Sequence, residues 1–138
     1  MAVQIDGVYE GNLKVRLTHV PSGAQIVTAA PVDNHGDGSS FSPTDLCATA
    51  LGTCMVTVMG IFAHEAGIPF EGVSFTLEKH MRADPRRIAR IPVTVNMPAG
   101  LTPEQRRKLE RVALTCPVYR SLHPEIEKPI TFVYPDES

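Results

Sequence analysis

SPTDLCATALGTCMVTVMGIFAHEAG, running from Ser42 to Gly67, is the stretch on which the architecture turns. It opens with the signature of a helix N-terminus. Ser42 is placed to cap, Pro43 fits the first helical position, and Asp45 is the acid three residues on. Gly67 supplies a natural stop. Between these ends the apolar residues Leu46, Leu51, Met55, Val56, Val58, Met59, Ile61 and Phe62 fall on every side. A helix that is apolar all round is expected to be surrounded by protein. Gly52 and Gly60 lower helix propensity, so each is expected to mark close approach of a neighbour.

The uncharged part, Leu46 to Ala63, approaches membrane-spanning length. It is rich in Ala, Thr, Gly and Cys rather than Leu and Ile. It begins beside Asp45 and ends beside His64 and Glu65, with no basic or aromatic anchors. The reading is therefore a buried central helix, with no membrane. Met1 to Glu10 contains two acids, no basic side chain and no apolar core of signal type.

Around the helix the pattern is that of strands. Val8 to Glu10, Lys14 to Val20 and Ala24 to Ala29 read as strands, and Pro21-Ser22-Gly23 turns the last two into a hairpin. Pro31 to Ser40 reads as a loop. Beyond the helix, Val73, Phe75 and Leu77 alternate with Ser74, Thr76 and Glu78. Ile91, Val93, Val95 and Met97 alternate likewise, and Pro92 marks an edge or a strand start. Thr102-Pro103-Glu104-Gln105 is a second capping box, and its helix puts Leu109, Val112, Ala113 and Cys116 on one stripe. Ile130 to Tyr134 closes as a strand. Strands on both sides of one long helix predict an α+β fold, and 138 residues fit one domain, 1–138.

A net charge of −2 gives no footing for nucleic acid or an anionic membrane. Arg82, Arg86, Arg87 and Arg90 read as a solvated loop. There is no Cys-x-x-Cys, no paired-histidine helix, no Gly-x-Gly-x-x-Gly and no Walker loop, so neither a metal nor another cofactor is expected. His19, His35, His64, His80 and His123 are scattered.

The cysteines carry the chemistry. Cys47 and Cys54 lie two helical turns apart, roughly 10 Å, too far for a disulfide. Cys47 reads as a small core residue, and Cys54 also looks buried. Cys116, directly before Pro117, supports two readings equally. It either packs on the preceding stripe or starts a fresh helical turn, where backbone N–H groups favour a thiolate. Cys54 lies mid-helix, so reactivity there needs a cation. The candidates are Arg16, Arg120, Lys79 and His80. Without a signal peptide the thiols are expected to be free, in a reducing cytoplasm.

Phe41-Ser42-Pro43-Thr44-Asp45-Leu46, Ala50-Leu51-Gly52-Thr53-Cys54 and Cys116-Pro117-Val118 together resemble the OsmC/Ohr family of thiol-dependent peroxidases. Lys79-His80-Met81, Pro85-Arg86-Arg87-Ile88 and Ser121-Leu122 resemble a less characterised branch of it. The resemblance implies antiparallel sheets around the central helix and an intertwined homodimer with sites at the subunit interface. It implies that Cys54 is the peroxidatic thiol, Cys116 the resolving thiol, an organic hydroperoxide the substrate and a dithiol, such as a lipoylated protein, the reductant. Two departures stand out. The family carries Glu where this chain has Thr44, with Asp45 one step (about 100°) further round the helix. The family arginine of the first hairpin corresponds most nearly to Arg16. Two other function classes remain open from the residues: a non-catalytic dimer holding an apolar ligand, and a redox sensor that oxidises once.

Overall fold

The computed structural model describes residues 1–136. The chain divides into two compact units, Met1–Cys47 and a second from Ala48 onward. In the first, β1 (Ile5–Gly11), β2 (Lys14–His19) and β3 (Gln25–Ala29) form an antiparallel sheet in the order β1-β2-β3. Arg16 lies opposite Val8 on one side and Val27 on the other. The β1–β2 turn needs left-handed backbone at Gly11, Asn12 and Leu13. Tyr9 steadies it, its hydroxyl accepting from the Leu13 N–H at 3.2 Å. Residues 30–40 form the expected connection, with one short 3-10 turn at Val32–Asn34.

Helix α1 (Pro43–Glu65) begins as its sequence demands. The Asp45 N–H donates to Ser42 Oγ at 3.1 Å, and the Ser42 N–H donates to Asp45 Oδ2 at 2.9 Å. Both orphan donors are thereby satisfied. At the other end Gly67 adopts φ +70°, and Ile68 N–H closes on the Ala63 carbonyl at 2.8 Å. That is the left-handed stop a glycine permits.

The second unit holds the core. β4 (Ser74–Leu77), β7 (Val93–Asn96) and β8 (Ile130–Val133) form a sheet in the order β4-β7-β8. Alternation along β7 buries Val93 and Val95, with Ile91 and Met97 flanking them. Ala48, Leu51, Met55, Met59 and Ala63 of α1 join that cluster with Leu109 and Ala113 of α2 (Pro103–Ala113). Gly52 is the point of closest approach. A Cβ there would fall 2.6 Å from Phe75 Cδ2 and 3.0 Å from Leu77 Cδ2. Pro92 proves to be a strand start, its carbonyl accepting from Glu78 N–H at 3.1 Å. α3 (Pro117–Ser121) follows α2 after the break at Cys116.

The structure corrects four expectations. α1 is not enclosed: Ala48, Leu51, Met55, Met59 and Ala63 are buried, whereas Cys47, Thr53, Thr57 and Ile61 are exposed. By length and composition α1 is long and apolar enough to cross a membrane, yet one face of it forms the core. Cys47 lies on the open side, so it is not a core residue within a single chain. The sheets are not wholly antiparallel, because β8 runs parallel to β7 with Val95 opposite Phe132. The chain reaches β8 through two helices, which is the length of crossover a parallel pairing requires. Finally, the arginine cluster is not a loop. β5 (His80–Arg82) and β6 (Arg87–Arg90) pair as a hairpin. Met81 and Ile88 turn inward and anchor it, since both join the core cluster.

Candidate active site

The break between α2 and α3 sets Cys116 in the core against which Cys54 of α1 packs. Cys116 is the N-cap residue of α3, with Pro117 at the first helical position. The Tyr119 N–H donates to Cys116 Sγ at 3.4 Å, and the Arg120 N–H donates to the Cys116 carbonyl at 3.2 Å. Its side chain is fully buried, so both readings of Cys116 hold at once: it packs in the core and it caps a fresh helix. Cys54, mid-way along α1, is only half-buried. The accessible thiol is therefore Cys54 and the enclosed one Cys116, the reverse of the impression left by their sequence surroundings.

Cys54 lies close enough to Cys116 for its thiol to act on the Cys116 proton. Burial pushes the Cys116 thiol above its ordinary range, and the neighbouring Cys54 thiol pushes it further. The Tyr119 and Val118 N–H groups act the other way, but they do not offset burial. A helix start by itself favours a thiolate, so the expectation of easy ionisation at Cys116 gives way to desolvation. Cys116 thus holds its proton beyond the ordinary thiol range. The half-buried apolar side chains Val58, Phe62, Phe75, Val118 and Tyr119 pack against the same core.

The candidate cations are placed as follows. Arg16, on β2, donates from Nε to Glu10 Oε2 at 2.9 Å and from Nη1 to Gln25 Oε1 at 3.5 Å. His80 is engaged with Glu78 Oε1 at 2.8 Å. Arg120 is exposed on α3. Thr44 occupies the first turn of α1, its hydroxyl 3.2 Å from Ser42 Oγ. The Asp45 carboxylate accepts from the Ser42 N–H. All three cysteines are free, and no cluster of three metal-ligating side chains occurs among the described residues. The backbone N–H groups expected for a helix start at Cys116 are those of Tyr119 and Val118. The signal for them was the Cys-Pro step, which sets a cap with its first free donors two and three residues on.

A family model of the OsmC-like proteins matches residues 36–129, which include both thiols. The chain belongs to the OsmC-like family. Its fold is accordingly an α+β OsmC-like fold. A solved structure from Psychrobacter arcticus, of a protein described as osmotic-stress-induced and of the detoxification response, is 38% identical. It covers 93% of this chain and 93% of its own, with a TM-score of 0.89. An organic hydroperoxide resistance protein OsmC of Legionella pneumophila superposes with a TM-score of 0.72 at 18% identity, over 96% of this chain and 97% of that one. An organic hydroperoxide resistance protein of Elizabethkingia anophelis does so at 0.75 and 15% identity, covering 97% and 96%. The last two likenesses are of fold. No curated protein matches this OsmC-like sequence.

Proposed function

We propose that this OsmC-like chain is a thiol-dependent peroxidase that reduces organic hydroperoxides. The observation that carries the reading is the nearness of the half-buried Cys54 thiol to the buried Cys116, two free thiols that act on each other. The Cys54 thiolate attacks the distal peroxide oxygen. The O–O bond breaks, the alkoxide leaves and takes a proton as the alcohol, and Cys54 becomes a sulfenic acid. Cys116 sulfur then attacks the Cys54 sulfur, water departs with the hydroxyl, and a disulfide forms. A dithiol returns both cysteines to thiols by exchange and is itself oxidised to a disulfide. The net change is hydroperoxide plus dithiol to alcohol, water and oxidised dithiol. A lipoylated protein is the reductant this scheme favours, in the cytoplasm. The attacking thiolate calls for a guanidinium, and substitution of Arg16 and of Arg120 tests which one serves.

An alkyl hydroperoxide fits better than hydrogen peroxide because Val58, Phe62 and Phe75 are apolar and incompletely buried. Met55 is fully enclosed and plays no part in contact with substrate. The active form in this reading is a homodimer. Ile5 and Val8 point to opposite faces of β1 and both are exposed, as is Ile61 on the uncharged outer side of α1. A second copy would remove such apolar surface from water. The reading as a non-catalytic dimer that holds an apolar ligand has one observation in its favour. Thr44 has no carboxylate, and that of Asp45 serves the helix cap, so the family pairing of Glu with Arg is lacking at this position.

Turnover of cumene hydroperoxide with a dithiol, measured in the wild type and in Cys54→Ser, tests the proposal. Activity is expected to vanish in the variant. Equal turnover in both ends the enzyme reading, and a single round of disulfide formation without sustained turnover favours the sensor.

A further inference from the structure

The β5–β6 hairpin presents an arrangement that the thiol chemistry does not use. Cross-strand pairs put side chains on the same face. His80 lies opposite Arg90, and Arg82 lies opposite Arg87. Since Met81 and Ile88 turn into the core, one histidine and three arginines share the outer face. Like charges directly opposite each other destabilise a two-stranded ribbon. The face nevertheless encloses a cavity of about 310 Å³, lined by His80, Arg82, Arg87, Arg90, Glu125 and Glu127.

Glu78 engages His80 at 2.8 Å, and the carboxylates that meet the arginines come from the segment 125–127. The segment through Glu127 pairs with β6, its N–H donating to Ala89 O at 3.0 Å. Glu125 Oε2 accepts from Arg87 Nη2 at 2.7 Å, and Glu127 Oε2 lies 3.5 Å from Arg90 Nε. Both carboxylates are highly exposed, at 66% and 74% of their side-chain surface. Two donors are left over. Arg87 Nε is buried and has no hydrogen-bond partner. Arg82 reaches Glu125 only through space, after Arg87 and His123 in its effect on that carboxylate. Two exposed glutamates thus shield three guanidinium groups around a hollow of small-ligand size.

We propose that this hairpin face binds a phosphoryl anion, either free phosphate or a phosphomonoester. A lone carboxylate offers no more charge than the glutamates already present. A phosphate dianion offers more charge and three acceptor oxygens, which match forked guanidinium donors and can take the orphaned Arg87 Nε. Glu125 is then an internal competitor that yields its place on Arg87 to the ligand.

The test is calorimetry on the full chain at fixed ionic strength, with inorganic phosphate and phenyl phosphate as probes and acetate as the monoanionic control. Saturable binding of at least one phosphoryl probe, and none of acetate, is expected. Arg82→Gln, on an exposed side chain, is expected to weaken binding about tenfold or more, as loss of one charge-assisted bond implies. Arg90→Gln serves the same purpose should the first variant fold poorly. Glu125→Gln is expected to tighten binding, an effect a purely structural carboxylate cannot give. Preference for inorganic phosphate assigns the free anion, and preference for phenyl phosphate assigns the ester. Absence of saturable binding, equal binding of acetate, an affinity unchanged in the arginine variants, or weaker binding in Glu125→Gln overturns the proposal.

Discussion

Cys116 is the residue whose properties the tertiary structure alters most. Its place at the start of α3 gives it backbone donors, and its burial removes the water that a thiolate needs. Because its folded pKa is raised, the folded chain keeps that proton where the unfolded chain loses it. The contribution to stability is present below the ordinary thiol value of 9.0 and is lost as pH rises through the folded value. Alkaline unfolding followed in denaturant is therefore expected to show stability falling above about pH 9. Cys116→Ser is expected to flatten that slope, while stability at neutral pH changes far less. Neighbouring residues in the sequence announced the Cys-Pro cap but not its depth, because depth depends on α1 lying across it.

At the scale of elements, α1 shows how a local signal and a packing constraint divide the work. Its two ends were plain in the sequence, since a serine, a proline, an aspartate and a terminal glycine act within a few residues of themselves. The buried side was not plain. A helix apolar on every face has no periodic contrast to show which side meets the sheet. Gly52 answers the question, because only an absent side chain leaves room for the Phe75 ring. Gly52→Ala is expected to destabilise the protein by roughly 1–3 kcal/mol through overpacking, even though alanine is worth about 1 kcal/mol in helix propensity. Thermal melting of the variant checks the sign. The β5–β6 hairpin was illegible for a different reason. Its two inward residues, Met81 and Ile88, are too few to make an alternating pattern, and the arginines around them read as solvated.

On the scale of the whole molecule, a single copy leaves apolar surface uncovered. In Met1–Cys47 both faces of β1 meet solvent, and α1 exposes an uncharged side through Thr53, Thr57 and Ile61. Light scattering on the purified protein is expected to give twice the mass of one chain. Ile61→Arg is expected to shift it towards the monomer by placing a charge in an apolar contact. A wild-type monomer, or a variant that remains dimeric, removes that face from the interface. Sequence alone determined the caps, the alternating strands, the α+β class and the family, because each of these is written in residues near one another in the chain. Only the tertiary structure decided that Cys54 meets Cys116, that β8 joins β7 in parallel, that Cys47 lies outside the core and that three arginines share one face. Those facts depend on contacts between residues far apart in the chain, where the free energy of burial rather than local propensity selects the partner.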